Sequence, residues 1–110
     1  MNNSFNLENQ VVVITGGSGM LGQKYAEVVC ELKGTPVIID VDQEQIENVV
    51  ERLNKEYGPS FGLKADISSE NSIMSARDSI LKKYKSIDVL INNAALTVRG
   101  VSDRAADFFL

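Results

Sequence analysis

Three glycines spaced three residues apart, Gly16, Gly19 and Gly22, follow directly on a short β-branched run. At a tight strand-to-helix turn, Gly16 permits the turn, Gly19 lets the backbone approach a ligand, and Gly22 lets helix and strand pack closely. The N–H groups of the first helical turn then face outward with the positive end of the helix dipole, where phosphate binds. The pattern predicts a dinucleotide site made by six residues: Gly16, Ser18, Gly19, Met20, Leu21 and Gly22.

An aspartate, Asp40, ends the next apolar run, close to the spacing of about 20 residues that a dinucleotide motif requires. A carboxylate at this place can accept hydrogen bonds from the hydroxyls of the adenosine ribose. It would also repel a 2′-phosphate, so the sequence predicts NAD rather than NADP as cofactor. The alternative role of helix cap suits Asp42 better, because Gln45 follows it three residues later.

The glycine loop lacks the residues of a nucleoside triphosphatase. That loop requires Lys and then Ser or Thr after its second glycine, whereas here Gln23 and Lys24 follow Gly22. A glycine string by itself also serves as a tight turn without any ligand. Its position between a strand and a helix, with an acid after the next strand, favours the binding role.

Four apolar runs predict the strands that position these residues: Val11–Thr15, Thr35–Asp40, 87–91 and a weaker edge strand at 61–65. Helical patterns lie between the runs. Strands that alternate with crossover helices indicate a parallel sheet with helices on both faces. We therefore expect an α/β fold, a doubly wound, Rossmann-like sheet of three layers, for which the usual strand order would be 3-2-1-4.

Each helical pattern shows a stripe of apolar residues at helical spacing. The first consists of Leu21, Tyr25, Val28, Val29 and Leu32, and Lys33 and Gly34 follow as a predicted helix end. The second consists of Ile46, Val49, Val50, Leu53 and Tyr57. The third consists of Ile73, Ala76, Ile80, Leu81 and Tyr84, with lysines at its end that suit the helix dipole.

Size and composition limit the remaining possibilities. The 110 residues predict a single domain, 1–110, and the net charge of −4 gives no basic surface for nucleic acid or anionic membrane. The chain has one cysteine, Cys30, and no histidine, which excludes an internal disulfide, histidine-based triads and histidine-ligated zinc. A polar start and the lack of an apolar run near ~18 residues predict a soluble, cytoplasmic protein.

Further motifs resemble the N-terminal part of the short-chain dehydrogenase/reductase family over essentially the whole chain. Phe5-x-Leu7 leading into the glycine loop is similar to the family's opening. Asp66-Ile67 resembles its Asp-Val pair, whose carboxylate holds the adenine amino group. Asn92-Asn93-Ala94-Ala95 resembles its Asn-Asn-Ala-Gly motif, in which the asparagines brace the sheet and the alanine backbone lies near the cofactor. The resemblance adds Asp66, Ile67, Asn92, Ala94 and Ala95 to the predicted cofactor site.

Two residues depart from the family pattern. Met20 stands where the common pattern has glycine, and this glycine spacing is similar to that of nucleotide-sugar epimerases and dehydratases. Ala95 replaces a glycine and adds a methyl group beside the cofactor. The double asparagine favours the reductase branch, and we give it more weight.

The resemblance implies an NAD-dependent oxidoreductase that transfers hydride between nicotinamide and an alcohol or carbonyl substrate. The family's catalytic Tyr-x-x-x-Lys pair lies further along than Leu110. None of Tyr25, Tyr57 and Tyr84 has a lysine four residues later, so we expect the chain alone to be inactive, with no catalytic residue of its own. The alternatives are a non-catalytic dinucleotide-binding module and a fragment of a nucleotide-sugar enzyme.

The end of the chain suggests self-association. A sheet that stops after the fourth strand leaves an apolar edge, which favours pairing with another chain. Residues 102–110 are predicted to begin a helix that ends in Phe108-Phe109-Leu110. We therefore expect a truncated half of a larger enzyme, with a homo-oligomer as its assembly.

Overall fold

The computed structural model describes residues 6–94, which form four strands and three helices in strict alternation. The strands are β1 (Val11–Thr15), β2 (Thr35–Asp40), β3 (Phe61–Lys64) and β4 (Val89–Asn92). The helices are α1 (Met20–Glu31), α2 (Gln43–Glu56) and α3 (Glu70–Tyr84). The strands form one parallel sheet in the order β3-β2-β1-β4, which confirms the predicted fold class and strand order.

The two faces of the sheet are covered by different helices. Successive side chains of a strand point to opposite faces, so each strand supplies both layers. One face packs on α3 with Val11, Val13, Val37 and Ile39. The other packs on α1 and α2 with Val12, Ile14 and Ile38. Burial on both faces explains why β1 and β2 are continuous apolar runs rather than alternating ones.

Helix α1 buries only part of the predicted stripe, because Val29 is buried and Tyr25 packs against the core but Leu21 and Val28 do not. Its buried residues are Gly22, Ala26, Val29 and Cys30, whereas Leu21 is 55% and Val28 is 50% exposed. A Cβ atom at Gly22 would collide with Gly16 O and would lie 2.7 Å from Gly17 Cα. Because the helix approaches the loop this closely, Gly22 must lie on the inner side of its first turn, and Leu21 and Val28 lie on the outer side.

The end of α1 also differs from the prediction. Lys33 takes the left-handed conformation, with φ of 75°, and Gly34 does not. Gly34 is required for packing instead, since a Cβ atom there would lie 2.9 Å from both Leu7 Cβ and Val29 Cγ1. The lack of a side chain, and not the freedom of φ, therefore accounts for this glycine.

Side-chain caps fix the start of α2 and α3. Asp42 accepts a hydrogen bond from Gln45 N, as the sequence predicts, and Ser69 accepts one from Ser72 N. The fourth strand begins later than predicted, at Val89. Just before it, Asp88 accepts a hydrogen bond from Val11 N at 2.7 Å, which ties the starts of β1 and β4 together.

The predicted helix at 102–110 lies outside the described residues. Within the part of the chain that the structure describes, no helix is long and apolar enough to span a bilayer.

Replacement of Ile38 by alanine tests the layer formed with α1 and α2. Ile38 is fully buried in that layer, so Ile38→Ala should lower the free energy of unfolding by about 2–5 kcal/mol. Urea unfolding followed by circular dichroism measures this change. The control, Val28→Ala on the exposed side of α1, should change it by less than about 0.5 kcal/mol. Equal losses in the two variants would contradict the described packing.

Candidate functional site

The carboxyl ends of the four parallel strands meet at one edge of the sheet, and several of the predicted site residues lie there. A cleft of ≈ 160 Å³ opens at this edge. It is lined by the ends of the strands and the residues that follow them: Gly16, Ile39, Asp40, Val41, Ala65, Asp66, Ile67 and Ala94. Five of the twelve predicted residues therefore share one cleft, at the place where open α/β sheets bind ligands.

The glycine loop uses its first and third glycines for close packing. Gly16 has φ of +66°, and a Cβ atom on it would lie 2.9 Å from Ala94 Cα. Gly22 lies against the backbone of the same loop, as described above. Gly19 is different, because it is exposed and a Cβ atom there would meet only Gly16 O, at 3.4 Å. Open space therefore remains in front of Gly19.

The start of α1 carries no side-chain cap. Gly19 is its N-cap residue, and the first turn contains no acidic side chain. Helices α2 and α3 both have a capping side chain and an acidic residue in the first turn. The first turn of α1 thus carries no acidic residue of its own and faces the open space beside Gly19, an arrangement that favours an anionic ligand.

Asp40 is held by three hydrogen bonds from neighbouring groups. Its Oδ2 accepts from Ser18 Oγ at 2.5 Å and from Ser18 N at 3.1 Å. Its Oδ1 accepts from Val41 N at 2.8 Å. The carboxylate therefore joins the end of β2 to the glycine loop and has a fixed orientation at the border of the cleft.

Asp66 is an exposed residue that also lines the cleft. Its Oδ1 accepts hydrogen bonds from Ser68 Oγ at 2.6 Å and from Ser68 N at 2.9 Å. These bonds, the hydroxyl's first, hold the pKa of Asp66 below its ordinary value because they favour the charged form. The backbone N–H of Asp66 donates to Ser72 Oγ of α3, which fixes the turn that carries it.

The hydroxyl of Thr15 connects the end of β1 to the end of β4. Thr15 is 1% exposed, and its Oγ1 accepts from Asn93 N at 3.0 Å and from Ala94 N at 3.1 Å. The same oxygen donates to Asn92 Oδ1 at 3.2 Å. In addition, Asn93 Nδ2 donates to Gly16 O at 3.2 Å. Both asparagines therefore brace the strand ends.

Not every predicted residue faces the 160 Å³ cleft. Ser18 lines a separate polar cleft of ≈ 280 Å³ between α1 and α2, together with Gln45 and Arg52. Met20 and Leu21 lie on the exposed first turn of α1, with 84% and 55% exposure. Asn92 hydrogen-bonds to Thr15, while Ala95 lies outside the described residues.

Sequence reasoning missed four residues that contribute to the site. Ile39, Val41 and Ala65 line the cleft, and Thr15 holds its floor in place together with Asn93, whose bracing role the family resemblance implies. Val41 is 58% exposed although it is apolar. An apolar residue directly after the acid that ends a strand is the signal that could have indicated it.

Substitution of Thr15 tests the brace beneath the cleft. Thr15→Val keeps the side-chain shape but leaves the N–H groups of Asn93 and Ala94 without their acceptor. The free energy of unfolding should fall by about 1–3 kcal/mol, as measured by urea denaturation. The matched control is Thr35→Val, the same change at the start of β2 and the other end of the sheet. Similar small losses in both variants would contradict the brace.

Substitution of Ser68 tests the lowered pKa of Asp66. Ser68→Ala removes the main donor, so the pKa of Asp66 should rise towards its ordinary value of 3.8 in a carbon-13 NMR titration. In the unaltered chain, the hydrogen bonds that ionised Asp66 accepts stabilise the folded state at pH values above the ordinary pKa of 3.8. The contribution is lost as the pH falls through the lower, folded-state pKa. Ser60→Ala, at the opposite end of the sheet, should leave the titration unchanged, and an unchanged Asp66 in Ser68→Ala would refute the assignment.

Comparison with known proteins adds independent findings. The family model described as short chain dehydrogenase matches residues 10–107. The uncharacterized oxidoreductase YxbG of Bacillus subtilis is 34% identical over 105 residues, which cover 94% of this chain and 38% of the relative. The chain thus spans less than half the length of this relative.

Solved structures agree in fold. A short-chain dehydrogenase/reductase from Burkholderia phymatum in complex with NAD is 27% identical, with a TM-score of 0.78 over 84% of this chain and 33% of that one. The RhlG/NADP complex of Pseudomonas aeruginosa is 28% identical, with a TM-score of 0.80 over 89% of this chain and 38% of that one. Because the family model covers most of the chain and agrees with its fold and strand-end motifs, the chain belongs to the short-chain dehydrogenase/reductase family.

Proposed function

We propose that this chain is the cofactor-binding part of an NAD-dependent oxidoreductase, which transfers hydride between nicotinamide and an alcohol or carbonyl substrate. The observation that carries the proposal is the position of Asp40. Its carboxylate is fixed against the glycine loop and borders the cleft at the carboxyl edge of the sheet. An acceptor in this position, beside an uncapped helix start, fits a ligand that has both a ribose and a pyrophosphate.

Three groups of residues suit three different parts of a dinucleotide. The open space before Gly19 and the uncapped first turn of α1 suit the pyrophosphate. Asp40 suits a ribose hydroxyl, and the cleft walls formed by Val41, Asp66 and Ile67 suit the adenine ring. The proposed contacts are Gly16, Ser18, Gly19, Met20, Leu21, Gly22, Asp40, Asp66, Ile67, Asn92, Ala94 and Ala95.

The chemistry divides between the cofactor and the protein. When it is bound, the nicotinamide supplies or accepts the hydride. The residues of this chain bind and orient the dinucleotide, and Thr15 and Asn93 keep the floor of the cleft in place. We assign no proton transfer to any described residue. The proposal therefore includes that the chain by itself is inactive.

The preference for NAD rests on charge. The solved relatives include complexes with NAD and with NADP, so the family permits both cofactors. A 2′-phosphate beside the Asp40 carboxylate would meet a like charge, and two such charges about 4 Å apart repel by roughly 1–4 kcal/mol near a protein surface. This repulsion supports NAD as the cofactor of this chain.

A non-catalytic dinucleotide-binding module is the second candidate. The tyrosine pattern favours it for this polypeptide, because no tyrosine here is followed by lysine four residues later. The glycine spacing with Met20 supports a third candidate, a fragment of a nucleotide-sugar epimerase or dehydratase. All three candidates bind a dinucleotide, and turnover of an alcohol in the complete protein separates the first from the other two.

We further propose that the protein is cytoplasmic and forms a homo-oligomer. The one thiol, Cys30, is free and buried, which suits the reducing environment of the cytoplasm. Strand β4 pairs only with β1 in the described sheet, and its apolar residues Val89, Leu90 and Ile91 are half-buried. This incomplete cover supports a homo-oligomer or a further segment of chain along β4.

Titration of the purified chain with NADH and NADPH, followed by nicotinamide fluorescence, tests the proposal. We expect saturable binding of NADH and binding of NADPH at least about fivefold weaker, because of the repulsion at Asp40. Asp40→Asn removes the charge at nearly constant shape and should bring the two affinities within about threefold of each other. ADP-ribose should compete with NADH, since it carries every group that these residues contact.

The matched control is Asp42→Asn, which removes a carboxylate two residues away and keeps a side chain able to cap α2. It should leave the ratio of the two affinities unchanged. Equal binding of NADH and NADPH by the unaltered chain would refute the role of Asp40. Failure of the folded chain to bind NADH, NADPH or ADP-ribose would refute the proposed site.

A further inference from the structure

Ser18 is buried at 4% exposure, and its hydroxyl points to Asp40 rather than into the open cleft. We infer that Ser18 is a positioning residue that sets the cofactor preference by fixing the orientation of the Asp40 carboxylate. The inference rests on the proposed function and deepens it. It assigns the discrimination between NAD and NADP to a pair of residues instead of to Asp40 alone.

The hydrogen bonds of Asp40 leave little freedom to its carboxylate. A carboxylate offers about four lone-pair positions. Ser18 Oγ and Ser18 N occupy both positions on Oδ2, and Val41 N occupies one on Oδ1. One position on Oδ1 remains, which suits a single ribose hydroxyl as donor. A 2′-phosphate brings no proton to that position and meets only negative charge.

The Ser18 hydroxyl donates its one proton to Asp40 and not to Gln45. The hydroxyl lies 2.5 Å from Asp40 Oδ2 and 3.3 Å from Gln45 Oε1. A hydroxyl has one proton, and a hydrogen bond to a charged acceptor is both shorter and stronger than one to a neutral amide. Gln45 therefore does not substitute for Asp40 as the partner.

Side chains of α1 and α2 hold the backbone of Ser18 in place. Gln23 Nε2 donates to Ser18 O at 2.9 Å, and Arg52 donates to Gln23 Oε1 at 2.9 Å. Arg52 also forms an ion pair with Glu27 at 3.1 Å. A continuous chain of contacts thus runs from α2 through α1 to the backbone of Ser18, which holds the loop segment that carries the hydroxyl in place.

Loss of the Ser18 hydroxyl should act differently on the two cofactors. Without it, Oδ2 keeps only the backbone donor, and the carboxylate can rotate away from the ribose. NADH then loses an oriented acceptor, whereas NADPH escapes part of the repulsion. If Ser18 only supported the loop, loss of its hydroxyl would instead weaken the binding of both cofactors to the same extent, because the loop binds the pyrophosphate that they share.

The test compares the dissociation constants of NADH and NADPH in the full chain for the unaltered protein, Ser18→Ala, Asp40→Asn and the double variant. Ser18→Ala should weaken NADH about fivefold, with NADPH unchanged or tighter, so that the preference falls by at least about fivefold. In the Asp40→Asn background, Ser18→Ala should leave the preference unchanged, because the partner charge is gone. Ser60→Ala, a serine at the opposite end of the sheet, is the matched control and should behave like the unaltered chain.

The outcomes separate the inference from the proposed function. An unaltered chain that prefers NADH, with the same preference in Ser18→Ala, would overturn the inference and leave the proposed function intact. An unaltered chain that binds no dinucleotide would overturn both. Thermal unfolding of each variant, monitored by circular dichroism, confirms that the variants compared are folded. If Ser18→Ala does not fold, Ser18→Gly removes the same hydroxyl and must show the same fall in preference.

Discussion

The close approach of α1 to the end of β1 is the constraint on which the rest of the site depends. At Gly22 the helix lies so near to the loop that a single Cβ atom would collide with Gly16 O. This contact directs the small face of α1 towards the sheet and leaves the start of the helix open beside Gly19. The same carbonyl of Gly16 accepts a hydrogen bond from Asn93, so the contact also joins the loop to the end of β4.

Most of the fold could be predicted from the sequence because the buried strands are continuous β-branched runs. The bounds of β1 and β2 agree with the predicted runs, and the parallel order follows from alternation with helices. The face of α1 could not be predicted from hydrophobicity. Backbone contact at Gly22 selects that face, and a count of apolar residues ranks Leu21 and Val28 above Gly22 and Ala26. In the same way, Gly34 is required for packing against Leu7, which no local pattern reveals.

The positions of the site residues could be predicted better than their orientations. Spacing placed Gly16 and Asp40 at one edge of the sheet, because parallel strands end together, and the family resemblance added Asp66 and Ala94 at the same edge. The direction of each side chain depends on hydrogen bonds between distant segments, such as the bonds of Thr15 to Asn93 and Ala94. Such bonds depend on the register of β1 and β4, which pairs Thr15 with Asn92. A linear pattern carries no information about that register.

The hydrogen bonds that hold Asp40 have a consequence for the thermodynamics of recognition. The carboxylate and the glycine loop are joined in the free protein, since every donor involved belongs to the protein itself. A preorganised acceptor loses little conformational entropy when a donor binds to it, so a larger part of the interaction energy contributes to affinity. Asp40 therefore needs no conformational change to accept one further hydrogen bond.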